Sequence, residues 1–142
     1  MKNKKIYNIS DLKDLLKTEN KNTNVLCHGV FDLLHIGHIK YFEEAKMMGD
    51  TLIVTITPDQ YVNKGPGRPV FNQQLRAEAI SALECVDYVA INQWPTAIET
   101  IQTLKPDVYV KGPDYKNYAD DISGNIKLEQ KAVESVGGNI RF

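Results

Sequence analysis

The run Thr51-Leu52-Ile53-Val54-Thr55-Ile56-Thr57 limits the fold more than any other segment of this 142-residue chain. Six of its seven residues are β-branched, which marks a strand. It has no polar alternate positions larger than threonine, so both faces of the strand must be covered. Shorter runs of the same kind recur at Val25-Leu26-Cys27, Val86 to Ile91, Val108-Tyr109-Val110 and from Asn139 to Phe142. Helical periods lie between them. Ser10 is expected to cap a helix through Leu12, Leu15 and Leu16. Gly37 to Met48 places Tyr41, Ala45 and Met48 at i, i+4 and i+7, with Gly49 as the stop. Asn72 heads a helix whose expected core stripe is Leu75, Ala79, Ala82 and Leu83. Pro95 suits the first turn of a helix carrying Ala97, Ile98, Ile101 and Leu104, and a last helix is expected between Ile122 and Val136. Strand–helix alternation of this kind predicts an α/β fold. The expected form is a Rossmann-like open sheet of five parallel strands with helices on both faces, built as a single domain over residues 1–142. Ligands of such sheets bind beyond the carboxyl ends of the strands. The loops after Cys27, Thr57 and Val110 are therefore the ones that matter, including the Gly/Pro-rich stretch from Asn63 to Pro69, which reads as a mobile loop.

All three histidines, His28, His35 and His38, fall on the first of these loops. His35-Ile36-Gly37-His38 enters a helix start, where free N–H groups and a partial positive charge favour anions. Imidazoles placed there can donate to phosphate oxygens and to the charge that builds on a leaving pyrophosphate. A single histidine near a helix start is more often a cap or a packed surface residue. Zinc is disfavoured, since only Asp32 and Cys27 stand nearby as further ligands and no HExxH occurs. With 17 basic against 18 acidic residues the net charge is −1, which excludes a global attraction to nucleic acid or anionic membrane. No stretch approaches the apolar length of a membrane span, and the N-terminus lacks the apolar run of a signal peptide. Cys27 and Cys85 form no CxxC pair, which agrees with a reducing, cytoplasmic setting.

The ten residues from Gly29 to His38, GVFDLLHIGH, resemble the GxFDxxHxGH element of the cytidylyltransferase-like nucleotidyltransferases. The similarity continues through Gly49-Asp50, Arg68-Pro69-Val70, Glu84 to Val89 and Val110-Lys111-Gly112-Pro113-Asp114-Tyr115. The KGxDY form looks most like the nucleotidyltransferase domain of the heptose-phosphate enzymes that make ADP-heptose. Glycerol-3-phosphate cytidylyltransferase is a more distant resemblance. The resemblance implies attack by a phosphate oxygen of a small substrate on the α-phosphate of a nucleoside triphosphate, releasing pyrophosphate. ATP is favoured, with CTP close behind, and a sugar phosphate is the expected acceptor. It implies that His35 and His38 stabilise the transition state together with Lys64, and that Gly29, Val30, Phe31, Asp32 and Gly37 contact the nucleotide. Arg76, Lys111, Gly112 and Asp114 are further nucleotide contacts by the same resemblance, and His28, Arg68 and Tyr115 are candidates on the acceptor side. For Lys64, Arg68 and Arg76 a solvated surface charge is the competing reading, and for Asp114 a turn residue. Mg²⁺ is expected on the triphosphate rather than on protein ligands, and the family implies a homodimer. Other readings are cytidylyl transfer to a polyol phosphate and a non-catalytic nucleotide-binding module. A fragment of an aminoacyl-tRNA synthetase, which shares HIGH, is disfavoured by the short, neutral chain with no tRNA-sized basic face. Two departures stand out. The family more commonly has Thr or Asn where this chain has His28, and it carries a Ser/Thr-rich loop and helix after the fifth strand, whereas this sequence stops at Phe142.

Overall fold

A computed structural model describes residues 5–19, 22–62, 65–111 and 125–142. In chain order the elements are α1 (Ile9–Thr18), β1 (Asn24–Gly29), α2 (Ile36–Lys46), β2 (Thr51–Ile56), a 3₁₀ turn (Asp59–Tyr61), α3 (Gln73–Ser81), β3 (Tyr88–Ile91), α4 (Ile98–Leu104), β4 (Val108–Val110), α5 (Asn125–Ser135) and β5 (Asn139–Arg141). The five strands form one parallel sheet in the order β3-β2-β1-β4-β5. The chain steps outward from β1 to β3, then returns to the other side of β1 for β4 and β5. Strand order thus reverses between β1 and β4, where Cys27 is in register with Val110.

The pleat divides the core in two. Val25, Cys27, Val54 and Ile56 point to one face, under Phe42 and Ala45 of α2 and Ala77 and Ile80 of α3. Leu26, Ile53, Ala90 and Tyr109 point to the other, against Ile9, Leu12 and Leu16 of α1, Ile101 and Leu104 of α4, and Ala132 and Val133 of α5. Every residue of β2 is buried, as its unbroken apolar run requires. The free edge of β3 is covered by the N-terminal segment, where Val89 N–H donates to Lys5 O and Tyr7 N–H donates to Val89 O, both at 2.9 Å.

Three local expectations are corrected. The first helix is capped by Asn8, not Ser10: Asn8 Oδ1 accepts from Asp11 N at 2.7 Å, which lets Ile9 join the buried stripe. Pro95 lies ahead of α4 rather than in its first turn, because the buried Asn92 amide donates to Trp94 O and Thr96 O and holds that stretch out of the helix. On α3 the buried face is Arg76, Ala77, Ile80 and Ser81, while Leu75 is 49% exposed. The helix is turned about one residue from the apolar stripe, and the buried guanidinium of Arg76 is the reason.

Candidate functional site

The carboxyl edge of the sheet around β1 and β4 carries His28, Gly29, Val30, Phe31, Asp32, His35, Gly37, His38 and Lys111. Beyond Gly29 the chain turns sharply, with Phe31 at φ 51°, a conformation that non-glycine residues rarely adopt. The turn folds the Phe31 ring back over Gly29, where an added Cβ would lie 2.8 Å from the ring. From there the ring packs edge-on against Phe42, centroids 5.0 Å apart, and against His38 at 5.7 Å. Phe31 thus joins the core to the start of α2.

At that helix start the two histidines cap each other's turn. His35 is the N-cap, and its Nδ1 accepts from Gly37 N at 3.0 Å. His38 Nδ1 accepts in turn from His35 N at 3.2 Å. The rings lie tilted at 39° with centroids 4.0 Å apart. Both Nδ1 atoms are acceptors here, so in the neutral rings the proton sits on Nε2. The capping role and the phosphate role are therefore compatible: the cap uses Nδ1, and the N–H of each neutral ring is on Nε2. Gly37 is part of this device, because a Cβ there would stand 2.7 Å from His35 Cε1.

Asp32 anchors the loop from behind. Its side chain is 4% exposed and takes Val70 N at 2.7 Å, Phe71 N at 2.9 Å and Arg68 at 2.9 Å. Burial pushes its pKa up, but the Phe71 and Val70 N–H groups and Arg68 outweigh that and hold it below the ordinary value. Any nucleotide contact at Asp32 must come through its backbone, as both carboxylate oxygens are engaged. Arg68, on the acceptor side by expectation, is directed to Asp32.

Arg76 has a different role from either sequence reading. It is 1% exposed, so it is no solvated charge. Its donors reach Phe71 O at 3.0 Å, Val30 O at 2.9 Å, Thr57 O at 2.8 Å and Asp59 Oδ1 at 2.6 Å. One guanidinium thereby ties the loop after β1, the loop after β2 and the start of α3 into one piece, instead of facing a ligand. The fork of Arg makes this possible; four acceptors converge where no apolar side chain could satisfy them.

On the opposite face lie His28, Thr55 and Lys111. His28 Nδ1 and Thr55 Oγ1 are 2.8 Å apart across the β1–β2 register. Burial, and then the neighbouring Lys111 charge, push the His28 pKa down to about 3. Lys111 Nζ lies 3.5 Å from Glu129 and 5.5 Å from the Tyr109 ring centroid. Between α2 and β4, a cavity of about 320 Å³ is lined by Gly37, Lys40, Tyr41, Val110, Lys111 and Phe142, among others. Tyr41 closes its floor, donating to Val110 O at 2.5 Å. Lys64, Gly112, Asp114 and Tyr115 lie outside the described residues. Among the described residues no group of three or more His, Cys, Asp or Glu is placed to hold a metal ion, and no helix is long and apolar enough to cross a membrane. Thr55, Tyr109 and Glu129 were not legible as site residues: a threonine inside a strand and a carboxylate on a helix carry no motif.

The cytidylyltransferase-like family model matches residues 26–141. The bifunctional protein HldE of Syntrophotalea carbinolica is 39% identical over 135 residues, covering 92% of this chain and 26% of that protein. HldE of Helicobacter pylori strain P12 is 45% identical over 111 residues, covering 77% of this chain and 24% of its own length. The chain thus spans about a quarter of the length of these curated relatives. Among solved structures, the lipopolysaccharide core biosynthesis protein from Thermoplasma volcanium superposes with a TM-score of 0.69 at 30% identity, covering 85% of this chain and 96% of that one. A pantoate-beta-alanine ligase from Francisella tularensis matches with a TM-score of 0.65 at 18% identity over 95% of this chain and 64% of its own, a likeness of fold alone.

Proposed function

The chain belongs to the cytidylyltransferase-like family, and from that premise we propose that it transfers a nucleoside monophosphate from a triphosphate to the phosphate of a small sugar. A phosphate oxygen of the acceptor attacks the α-phosphorus and a new P–O bond forms. The bond from that phosphorus to the oxygen bridging to the β-phosphate breaks, and pyrophosphate leaves with the electron pair. No covalent enzyme intermediate is needed, so the protein aligns the reactants and stabilises developing charge. The observation that carries the reading is the His35–His38 pair at the start of α2, its rings tilted with centroids 4.0 Å apart and both Nδ1 atoms fixed by backbone N–H groups, which puts the N–H of each neutral ring on Nε2. The N-terminus of α2 adds its partial positive charge beneath them. Gly29, Val30 and Phe31 offer backbone to the nucleotide, held in place by Arg76 and the Asp32 carboxylate. Lys64, Lys111, Gly112 and Asp114 belong to the same proposal.

Mg²⁺ fits the donor set in one way. Asp32 has both oxygens engaged, so the ion would be held by triphosphate oxygens and water, where it would neutralise phosphate charge. ATP is the favoured nucleotide and CTP the second. Heptose and hexose 1-phosphates are the first acceptors to try, ahead of polyol phosphates. A homodimer in the cytoplasm accompanies this reading, and sedimentation of the purified chain at micromolar concentration tests its oligomeric part. The function itself is tested by pyrophosphate release from each of the four NTPs with Mg²⁺ and a panel of sugar 1-phosphates and polyol phosphates. We expect turnover with ATP, reduced roughly 100-fold in His38→Ala by loss of one transition-state donor. Tight NTP binding without turnover, unchanged by His35→Ala and His38→Ala, would instead identify a binding module.

A further inference from the structure

The groups that handle phosphate in the reading above stand on different elements. His35 and His38 open α2, whereas Lys111 follows β4. α2 packs over β1 and β2, and β4 flanks β1 on the side away from β2. Tyr41 bridges that interval. It stands three residues after His38, on the same face of the helix. Its hydroxyl donates to Val110 O at 2.5 Å. Val110 ends β4 and immediately precedes Lys111. The Cys27 thiol stands against the same hydroxyl, and Cys27 is in register with Val110. One phenol oxygen thus sits over the junction of β1 and β4, where the strand order reverses.

We infer that Tyr41 is a positioning residue, whose hydroxyl fixes the distance between the His35–His38 pair and Lys111. This rests on the nucleotidyl-transfer reading above and adds to it a residue that acts through its neighbours. The Tyr41 ring reaches the histidines by way of Phe31, whose centroid lies 6.4 Å from that of Tyr41 and 5.7 Å from that of His38. Its hydroxyl reaches Lys111 through a single peptide unit. The far end of that lysine is held from another element, because Nζ lies 3.5 Å from Glu129 Oε1 of α5 and over the Tyr109 ring. Lys111 is therefore tied at its backbone by α2 and at its head by α5. Gly37, Tyr41, Val110 and Lys111 line one cavity of about 320 Å³, so the helix start and the lysine face a common space. Burial holds the Tyr41 phenol well above its ordinary value, and the hydroxyl remains a donor at every working pH. Burial likewise pushes the Cys27 thiol up to about 12, which keeps a thiolate from competing for that donor. A phenylalanine would fill the same place against Phe31 and Phe42. What the hydroxyl adds is one directed bond between α2 and β4. Rate is sensitive to such a bond, since displacing an aligned group by about 1 Å costs on the order of 100-fold.

The test is a double-mutant cycle on the whole chain, read by pyrophosphate release with ATP, Mg²⁺ and the heptose or hexose 1-phosphate that turns over best. Tyr41→Phe keeps the ring and removes only the hydroxyl. Its kcat is expected to fall about tenfold while the KM for ATP stays within about threefold, the split of an interaction that matters in the transition state. A bond that serves only the fold costs the same factor in every background. A positioning bond loses its object once one of the groups it spaces is gone. Added to His38→Ala or to Lys111→Met, Tyr41→Phe is therefore expected to cost no more than about twofold in kcat. Circular dichroism and thermal melts establish that each variant is folded at the assay temperature. Should Tyr41→Phe fail to fold, Tyr41→His, which keeps a ring and a donor at shorter reach, takes its place in the cycle with the same expectation. Costs that multiply independently in both backgrounds, or a Tyr41→Phe turnover within about twofold of wild type, overturn the positioning role and leave nucleotidyl transfer standing. Wild-type protein that releases no pyrophosphate with any acceptor removes that reading and the positioning role together.

Discussion

Gly37 shows how a single missing carbon serves the site. The His35 ring lies against the space its Cβ would fill, 2.7 Å from the ring at Cε1, and the Gly37 N–H is the donor that fixes His35 Nδ1. Alanine there is tolerated by the helix and improves its propensity by up to about 1 kcal/mol. It must, however, displace the imidazole. For Gly37→Ala the gain in propensity is offset by the disturbed His35 cap, so we expect a melting temperature close to that of the wild type. Turnover should fall by at least about tenfold, as expected when a positioned donor moves by an ångström. Equal turnover in the two proteins would show that the His35 cap does not position the ring for the reaction. The spacing of His35, Gly37 and His38 was legible in the sequence, and so was their place at a helix start. Which ring nitrogen carries the proton was not, since that depends on backbone N–H groups whose direction exists only once the turn has formed.

At the scale of elements, α3 is the instructive case. Its apolar pattern predicts a stripe through Leu75 and Ala79, yet the helix buries Arg76 and leaves Leu75 half in water. The four acceptors that meet the guanidinium come from the loop after β1, the loop after β2, the residue before the cap of α3, and Asp59. Removing the guanidinium leaves those carbonyls and a carboxylate without their donor in a largely dry place. For Arg76→Met we expect a loss of about 3 kcal/mol or more in urea unfolding, with Arg76→Lys recovering only a small part because a point charge cannot fork. A destabilisation below about 1 kcal/mol, the range of a surface substitution, would count against the clamp. Periodicity could not announce this, because a buried arginine breaks the rule that periodicity relies on. The acceptors that overrule it are 5 to 46 residues away in the chain.

For the whole molecule, the response to acid follows from two groups on the same edge. His28 has a folded pKa pushed below its ordinary 6.5 to about 3, so the unfolded chain takes up its proton first. Its contribution is complete above pH 6.5 and is lost as pH falls from there towards 3. Asp32 is also lowered, from 3.8, and its contribution is present above that value and lost as pH falls through the folded one. Stability should therefore decline in two stages, the first from His28 with a slope approaching about 1.4 kcal/mol per pH unit below pH 6. Urea titrations between about pH 2 and 8 measure both stages. His28→Asn should flatten the upper stage and leave the lower one, and identical profiles for the two proteins would place His28 in ordinary contact with water.

The α/β alternation, the five strands and the paired histidines at a helix start were determined by the sequence alone. They rest on local preferences: β-branched runs, helical periods, a cap-and-glycine spacing, each expressed over a few neighbouring residues. The tertiary structure decided what Asp32, Arg76, His28 and Glu129 do. Their partners come from other strands and loops, and whether a charge is an exposed ligand or a buried clamp depends on solvent exclusion that arises only when those segments meet.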